Sequence, residues 1–134
     1  MRTMIAIALA LMLEAAAAGE SRRWTVCPEP GAGCDFAGGP GIQAAVDRAA
    51  DGDEIVLRAG RYAAESYREV PYRDVIVHGF IVIDGKDLAL AGEPGAVLDG
   101  ATGPPTTAII VRAAKAAVSG LTLTGFRFDV QEDD

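Results

Sequence analysis

Apolar positions recur at clear helical spacing in one stretch of this chain, Gly41–Leu57. Ile42, Ala45, Val46 and Ala49 fall on one face, and Gln43, Asp47 and Arg48 fall off it. The spacing predicts a helix over Ile42–Ala50, supported by the propensity of its alanines. Gly38, Gly39, Pro40 and Gly41 form a breaker cluster ahead of it, and Asp51-Gly52 stops it. So short a helix is marginal alone in water, so its apolar face must pack on the strands that follow.

After the helix the pattern becomes short hydrophobic runs closed by Gly and Asp. Glu54–Leu57 is the first strand, and Ala59-Gly60 turns the chain into the polar stretch Arg61–Tyr67. Asp74–Val77, Phe80–Ile83, Leu88–Leu90, Ala96–Leu98, Ala108–Val111 and Val118–Leu123 follow as strands, the last interrupted by Gly120. Trp24–Val26 is a strand candidate before the helix. Two architectures fit this list. In an antiparallel sandwich, Asp84-Gly85 and Asp99-Gly100 are hairpin turns. In a parallel β-helix, each coil contributes several very short strands and the Ala-rich helix caps one end. The segments DLALAG (87–92) and SGLTLTG (119–125) are comparable pieces of an imperfect repeat.

Composition adds a compartment and removes some partners. A chain of 134 residues fits one domain. Arg2, the apolar run Met4–Leu13 and the small residues Ala15–Ala18 read as a signal peptide over 1–18. The run is too short to span a bilayer. Glu14 interrupts it, and a buried N-terminal helix is the alternative. The expectation is a secreted protein, periplasmic or extracellular. Residues 19–40 would form an N-terminal strand and cysteine loop, 41–128 the helix cap and first coils, and 129–134 an acidic tail. Loss of Arg2 and Glu14 leaves the formal net charge at −7. That charge, with scattered arginines, argues against nucleic acid and against anionic membranes as partners. Cys27 and Cys34, in CPEPGAGC, should pair in an oxidising compartment. They form no C-x-x-C, and with His78 the only histidine, they make no zinc set.

Candidate chemistry is sparse. Asp84 and Asp99, with Asp74 or Asp87 nearby, are the carboxylates that stacked coils would bring together for glycoside cleavage; as residues before or near Gly they equally suit turns. Arg112 and Lys115 are candidate bases for a lyase, although RAAK also reads as a solvated turn. His78 has no visible partner, and no nucleophile elbow, phosphate loop or calcium motif is present in the sequence. No catalytic residue, metal or cofactor is assigned. Tyr62, Tyr67 and Tyr72, with Arg68, lie in RYAAESYREVPY and are the candidate carbohydrate-binding residues; the alternative for Tyr62 is packing under the cap. A polysaccharide is the expected partner. An open end at 118–128 would also invite self-association, which the acidic tail would oppose.

The run IQAAVDRAADGDEIVLRAGRY (42–62) resembles the opening of secreted right-handed parallel β-helix proteins of the pectin-lyase-like superfamily, in the pectinesterase-related branch. The matching positions are Ile42, Gln43, Ala45, Val46, Ala49, Gly52, Asp53, Ile55, Val56, Gly60 and Tyr62. Tyr67-Arg68-Glu69 echoes the family's continuation after an insertion. LALAGEPGAVLDG (88–100) looks like the first coil and VSGLTLTGF (118–126) like the next. The resemblance implies an all-β fold, a right-handed parallel β-helix opening with an N-terminal capping helix, incomplete here. Catalytic carboxylates of the esterase branch lie on later coils, and no stretch matches them. The implied function is a structural or carbohydrate-surface-associated segment; the alternative is the N-terminal part of a pectinesterase-like or lyase-like enzyme.

Overall fold

A computed structural model describes residues 20–127. The expected signal peptide, Phe128 and the acidic tail lie outside them. The elements are β1 (Arg23–Cys27), β2 (Phe36–Ala37), α1 (Gly38–Arg48), β3 (Glu54–Leu57), β4 (Gly60–Ala63) and β5 (Arg68–Tyr72), then β6 (Val75–Asp84), β7 (Ala89–Gly92), β8 (Ala96–Asp99), β9 (Thr107–Arg112), β10 (Ala117–Ser119) and β11 (Thr122–Thr124).

These strands form three sheets, in the orders β10-β7-β3-β1-β2, β11-β8-β4 and β5-β6-β9. Every pairing is parallel except β5 with β6. The chain therefore makes repeated circuits: β3, β4 and β6; then β7, β8 and β9; then β10 and β11. Residues in register share a face, so circuits stack like on like. Ile55, Leu90 and Val118 form one ladder, and Tyr62, Leu98 and Leu123 a second. Ile81 lies beside Ile109, and Ile83 beside Val111. Ile55, Tyr62, Ile81, Ile83, Leu90 and Leu98 are fully buried. Each such aliphatic side chain contributes roughly 1.5–3 kcal/mol relative to an exposed one. Among the described residues the architecture is an all-β, solenoid-like domain with one N-terminal helix, and the antiparallel sandwich is excluded. Asp84-Gly85 and Asp99-Gly100 are corners between sheets rather than hairpin turns.

Several elements differ from the sequence reading, each for a local reason. Helix α1 begins at Gly38 instead of Ile42 and ends at Arg48. Pro40 sits in its first turn, where a missing N–H costs nothing. Gly39 has to be glycine there, because a Cβ would lie 2.2 Å from the Ala63 carbonyl oxygen. The face expected to be apolar is buried: Ile42, Ala45, Val46 and Ala49. The runs Asp74–Val77 and Phe80–Ile83 are one strand, β6. It continues through His78-Gly79 because β5 pairs with Val75–Gly79 and β9 with Gly79–Asp84. Conversely, Val118–Leu123 is two strands on different sheets, with Gly120 at the corner at φ 72. The polar stretch after Gly60 supplies β4, with Tyr62 alone buried, and the hairpin strand β5. The segment 88–100 does stack on 118–126, but the circuit β3–β4 precedes it, so it is not the first. DLALAG therefore pairs with Ala117–Ser119, and Thr122–Thr124 pairs with β8.

The two ends of the sheets are unlike. Beyond β3 the first sheet continues through β1 and β2, tied by the Cys27–Cys34 disulfide. Helix α1 packs over β1, β2, β3, β4 and β6. At the other end β9, β10 and β11 are the last strands of their sheets.

Candidate functional site

The residues of the 42–62 motif converge on the closed end. Gln43 lies on the helix flank facing β6. Its Nε2 donates to the Val82 carbonyl at 3.1 Å, and the Val82 N–H donates to its Oε1 at 2.7 Å. One side-chain amide thus takes the place of a neighbouring strand on β6. Asp53 follows the helix and is buried. It accepts from the backbone N–H of Ala50 at 2.9 Å, that of Arg22 at 2.8 Å and the Trp24 indole at 3.1 Å. Those donors, the Ala50 amide first, hold its carboxyl below the usual carboxylate range. Tyr62 is fully buried, and its hydroxyl donates to the carbonyl oxygens of Arg58 and Val26, at 2.7 and 3.0 Å. A single hydroxyl proton is shared between these two acceptors. Burial pushes its pKa up to about 12, with the Glu93 charge adding to the effect.

The candidate carbohydrate residues separate. Tyr62 is absent from the surface. Tyr67 is exposed and stacks on His78, ring centroids 4.0 Å apart and planes 17° from parallel. Tyr72 is exposed near the tip of the β5–β6 hairpin, with the Arg73 guanidinium 5.3 Å from its ring centre. Arg68 grips Asp47 with two hydrogen bonds of 2.9 and 2.7 Å. That grip is the main reason the Asp47 carboxyl titrates below its ordinary value.

Arg68 and Asp47 belong to a charged cleft of about 150 Å³ between α1, the hairpin and the ends of β6 and β9. Glu69, Asp84, Lys86 and Arg112 also line it. Arg112 pairs with Asp84, its register neighbour. Lys86 donates to the Val46 and Asp47 carbonyls at 3.0 and 2.7 Å, where a cation suits a helix C-terminus. Asp47 and Asp84 are thus each held by an arginine, an arrangement that anchors the helix, the hairpin and the strand ends to one another.

Asp84 and Asp99 do not meet. Asp84 ends a strand of the third sheet and Asp99 a strand of the second. Asp99 accepts from the Ala101 amide at 2.8 Å and from Arg61 at 2.7 Å, and the amide first, then Arg61, lowers its pKa. Asp87 instead stitches corners together: its own N–H donates to Asp51 at 2.9 Å, and its carboxylate accepts from the Lys115 N–H at 2.9 Å. Among the described residues no group of His, Cys, Asp and Glu is placed to hold a metal ion. Among them, too, no helix is long and apolar enough to cross a membrane.

The chain matches no family model, no curated protein and no solved structure.

Sequence reasoning missed the grouping of Asp47, Arg68, Asp84, Lys86 and Arg112, because four different elements and a loop bring it together. The sequence singled out Arg68, Asp84 and Arg112 separately, each for different chemistry, and carried no signal linking them to one another or to Asp47 and Lys86.

Proposed function

We propose that this chain is a secreted right-handed parallel β-helix of the pectin-lyase-like kind, capped at one end by its helix, with a structural role at a carbohydrate surface. The observation that carries the structural reading is the use of the 42–62 motif. Gln43, Asp53 and Tyr62 satisfy backbone groups at one end of the sheets, and each spends its polar atoms on partners within the fold. The recurring parallel register of β3, β7 and β10 supports a β-helix. The carbohydrate part is supported by exposed Tyr67 and Tyr72, at the two ends of β5, whose Arg68 and Glu69 line the charged cleft, since aromatic faces offer apolar surface next to hydrogen-bonding groups.

The test uses pectin, polygalacturonate and a neutral glucan. Retention on each is measured together with methanol release and new reducing ends. The expected result is retention on at least one polysaccharide, weakened severalfold by Tyr67→Ala and Tyr72→Ser, with no turnover. Turnover above the blank would replace this reading with an enzymatic one. Absence of retention on all three would remove the carbohydrate part.

A further inference from the structure

Three Asp-Gly pairs stand where the circuits turn: Asp51-Gly52 after α1, Asp84-Gly85 after β6 and Asp99-Gly100 after β8. The fold requires each glycine. Gly52 and Gly85 have φ of 87 and 70, and a Cβ on Gly100 would lie 2.8 Å from the Phe126 ring. Asp-Gly is also the pair most open to closing into a cyclic imide, because glycine places no side chain beside the attacking amide nitrogen. Here each of those nitrogens is engaged. The N–H of Gly52 donates to the Asp87 carbonyl at 2.8 Å, that of Gly85 to Arg112 at 2.9 Å and that of Gly100 to Thr124 at 2.8 Å. In every case the acceptor belongs to the next circuit. Stacking therefore holds the proton and fixes the peptide plane of each labile pair, and ring closure waits on local opening of the circuit above it.

The three locks are unequal. Asp87, the acceptor for Gly52, is itself held from both sides: its N–H donates to Asp51, and its carboxylate accepts from the Lys115 N–H. Arg112, the acceptor for Gly85, ends a six-residue strand and returns its side chain to Asp84. Thr124, the acceptor for Gly100, ends a three-residue strand that is exposed throughout and pairs only with β8. Beyond that pairing, β11 is tied down by Phe126, whose ring lies against Gly100 and 6.2 Å from that of Phe80, centroid to centroid. We propose that Asp99-Gly100 is a site of spontaneous aspartate isomerisation, gated by β11 with Phe126 as its latch. When β11 lifts, the Gly100 nitrogen forms a bond to Asp99 Cγ. The carboxyl hydroxyl leaves with the amide proton as water, which closes the imide. Water then adds at the main-chain carbonyl of Asp99 and breaks its bond to nitrogen, so that the chain runs on through the side chain as isoaspartate. Arg61 and the Ala101 N–H, which hold the Asp99 carboxylate, must also release it. The inference rests on the corners alone, independently of any carbohydrate role.

The test incubates the full chain, warm but below its melting temperature and at neutral pH, and maps isoaspartate by proteolysis and electron-transfer fragmentation. The unfolded chain in denaturant is the reference, in which all three pairs should convert at similar rates. In the folded chain Asp99 should convert severalfold faster than Asp51 and Asp84, and all three more slowly than in the reference. Phe126→Ala should raise the Asp99 rate severalfold and leave the other two unchanged. A second reading needs no variant: in denaturant below the unfolding transition of the native chain, Asp99 should accelerate before Asp51 does. Equal rates at the three corners of the folded chain would overturn the inference. So would earlier conversion at Asp51 or Asp84, or three rates that rise together below the unfolding transition.

Discussion

Single side chains at the closed end act by satisfying backbone groups, and their ionisation makes that measurable. Tyr62 titrates at about 12 when folded, because burial disfavours its phenolate, against about 10 when unfolded. The folded state therefore binds the proton more tightly. Its contribution to stability is complete below pH ~10 and is lost as pH rises towards ~12. Denaturant midpoints across that window should fall in the native chain, and in Tyr62→Phe the fall should be absent. The variant itself should cost about 1–3 kcal/mol, because the Arg58 carbonyl loses the hydroxyl, while the Val26 carbonyl keeps the Arg58 N–H. Asp53 works in the opposite direction. Its folded pKa is lowered by the Ala50, Arg22 and Trp24 donors, so its contribution is present above pH ~4 and lost as pH falls below that. Asp53→Asn should lower the midpoint at pH 7 and flatten its decline in acid. An unchanged acid profile would show that Asp53 is not the group responsible.

Two elements owe their placement to a few contacts. Helix α1 meets β6 through the paired Gln43–Val82 hydrogen bonds. Gln43→Ala leaves both Val82 groups without that partner, and a loss of about 1–3 kcal/mol in chemical denaturation is expected. Gln43→Leu, which keeps the bulk, should lose about as much; full stability in it would show that packing alone holds the helix. The loop Cys27–Cys34 closes a short ring at sequence separation 7. Reduction should cost about 2 kcal/mol, read as a shift in melting temperature with and without reductant. The Asp47–Arg68 pair is half exposed on both sides. Its geometry fixes the hairpin against the helix, but its contribution is at most about 1 kcal/mol and is screened by salt.

At the scale of the whole molecule, stability should follow the direction of stacking. β3 lies between β1 and β7, with buried residues on its inner face, whereas β10 and β11 are exposed throughout. Amide exchange in dilute solution should be slowest in β3 and fastest in β10 and β11. Uniform protection would mean that β10 and β11 are covered in solution.

Much of this fold was legible in the sequence, and the reason is local. The face Ile42, Ala45, Val46 and Ala49 follows from the 3.6-residue period. The short runs EIVL, LAL, AVL and AII mark strands because each is bounded by Gly or Asp. Cys27 and Cys34 are near enough in sequence to pair. What the sequence could not settle depended on who the neighbours were. Whether Asp84-Gly85 turns back on itself or rounds a corner depends on strand pairing, which is non-local. Whether His78-Gly79 interrupts a strand depends on partners at both edges. Tyr62 and Tyr67 are the same residue type in one polar stretch. Only stacking on Leu98 puts the first in the core and leaves the second on the surface. The charged cleft drew Asp47, Arg68, Asp84, Lys86 and Arg112 from across the chain, and no spacing rule links them. Local periodicity and turn chemistry thus determined the elements. The parallel stacking of circuits decided which residues are buried, which carboxylates are held by arginine, and which strands come last in their sheets among the described residues.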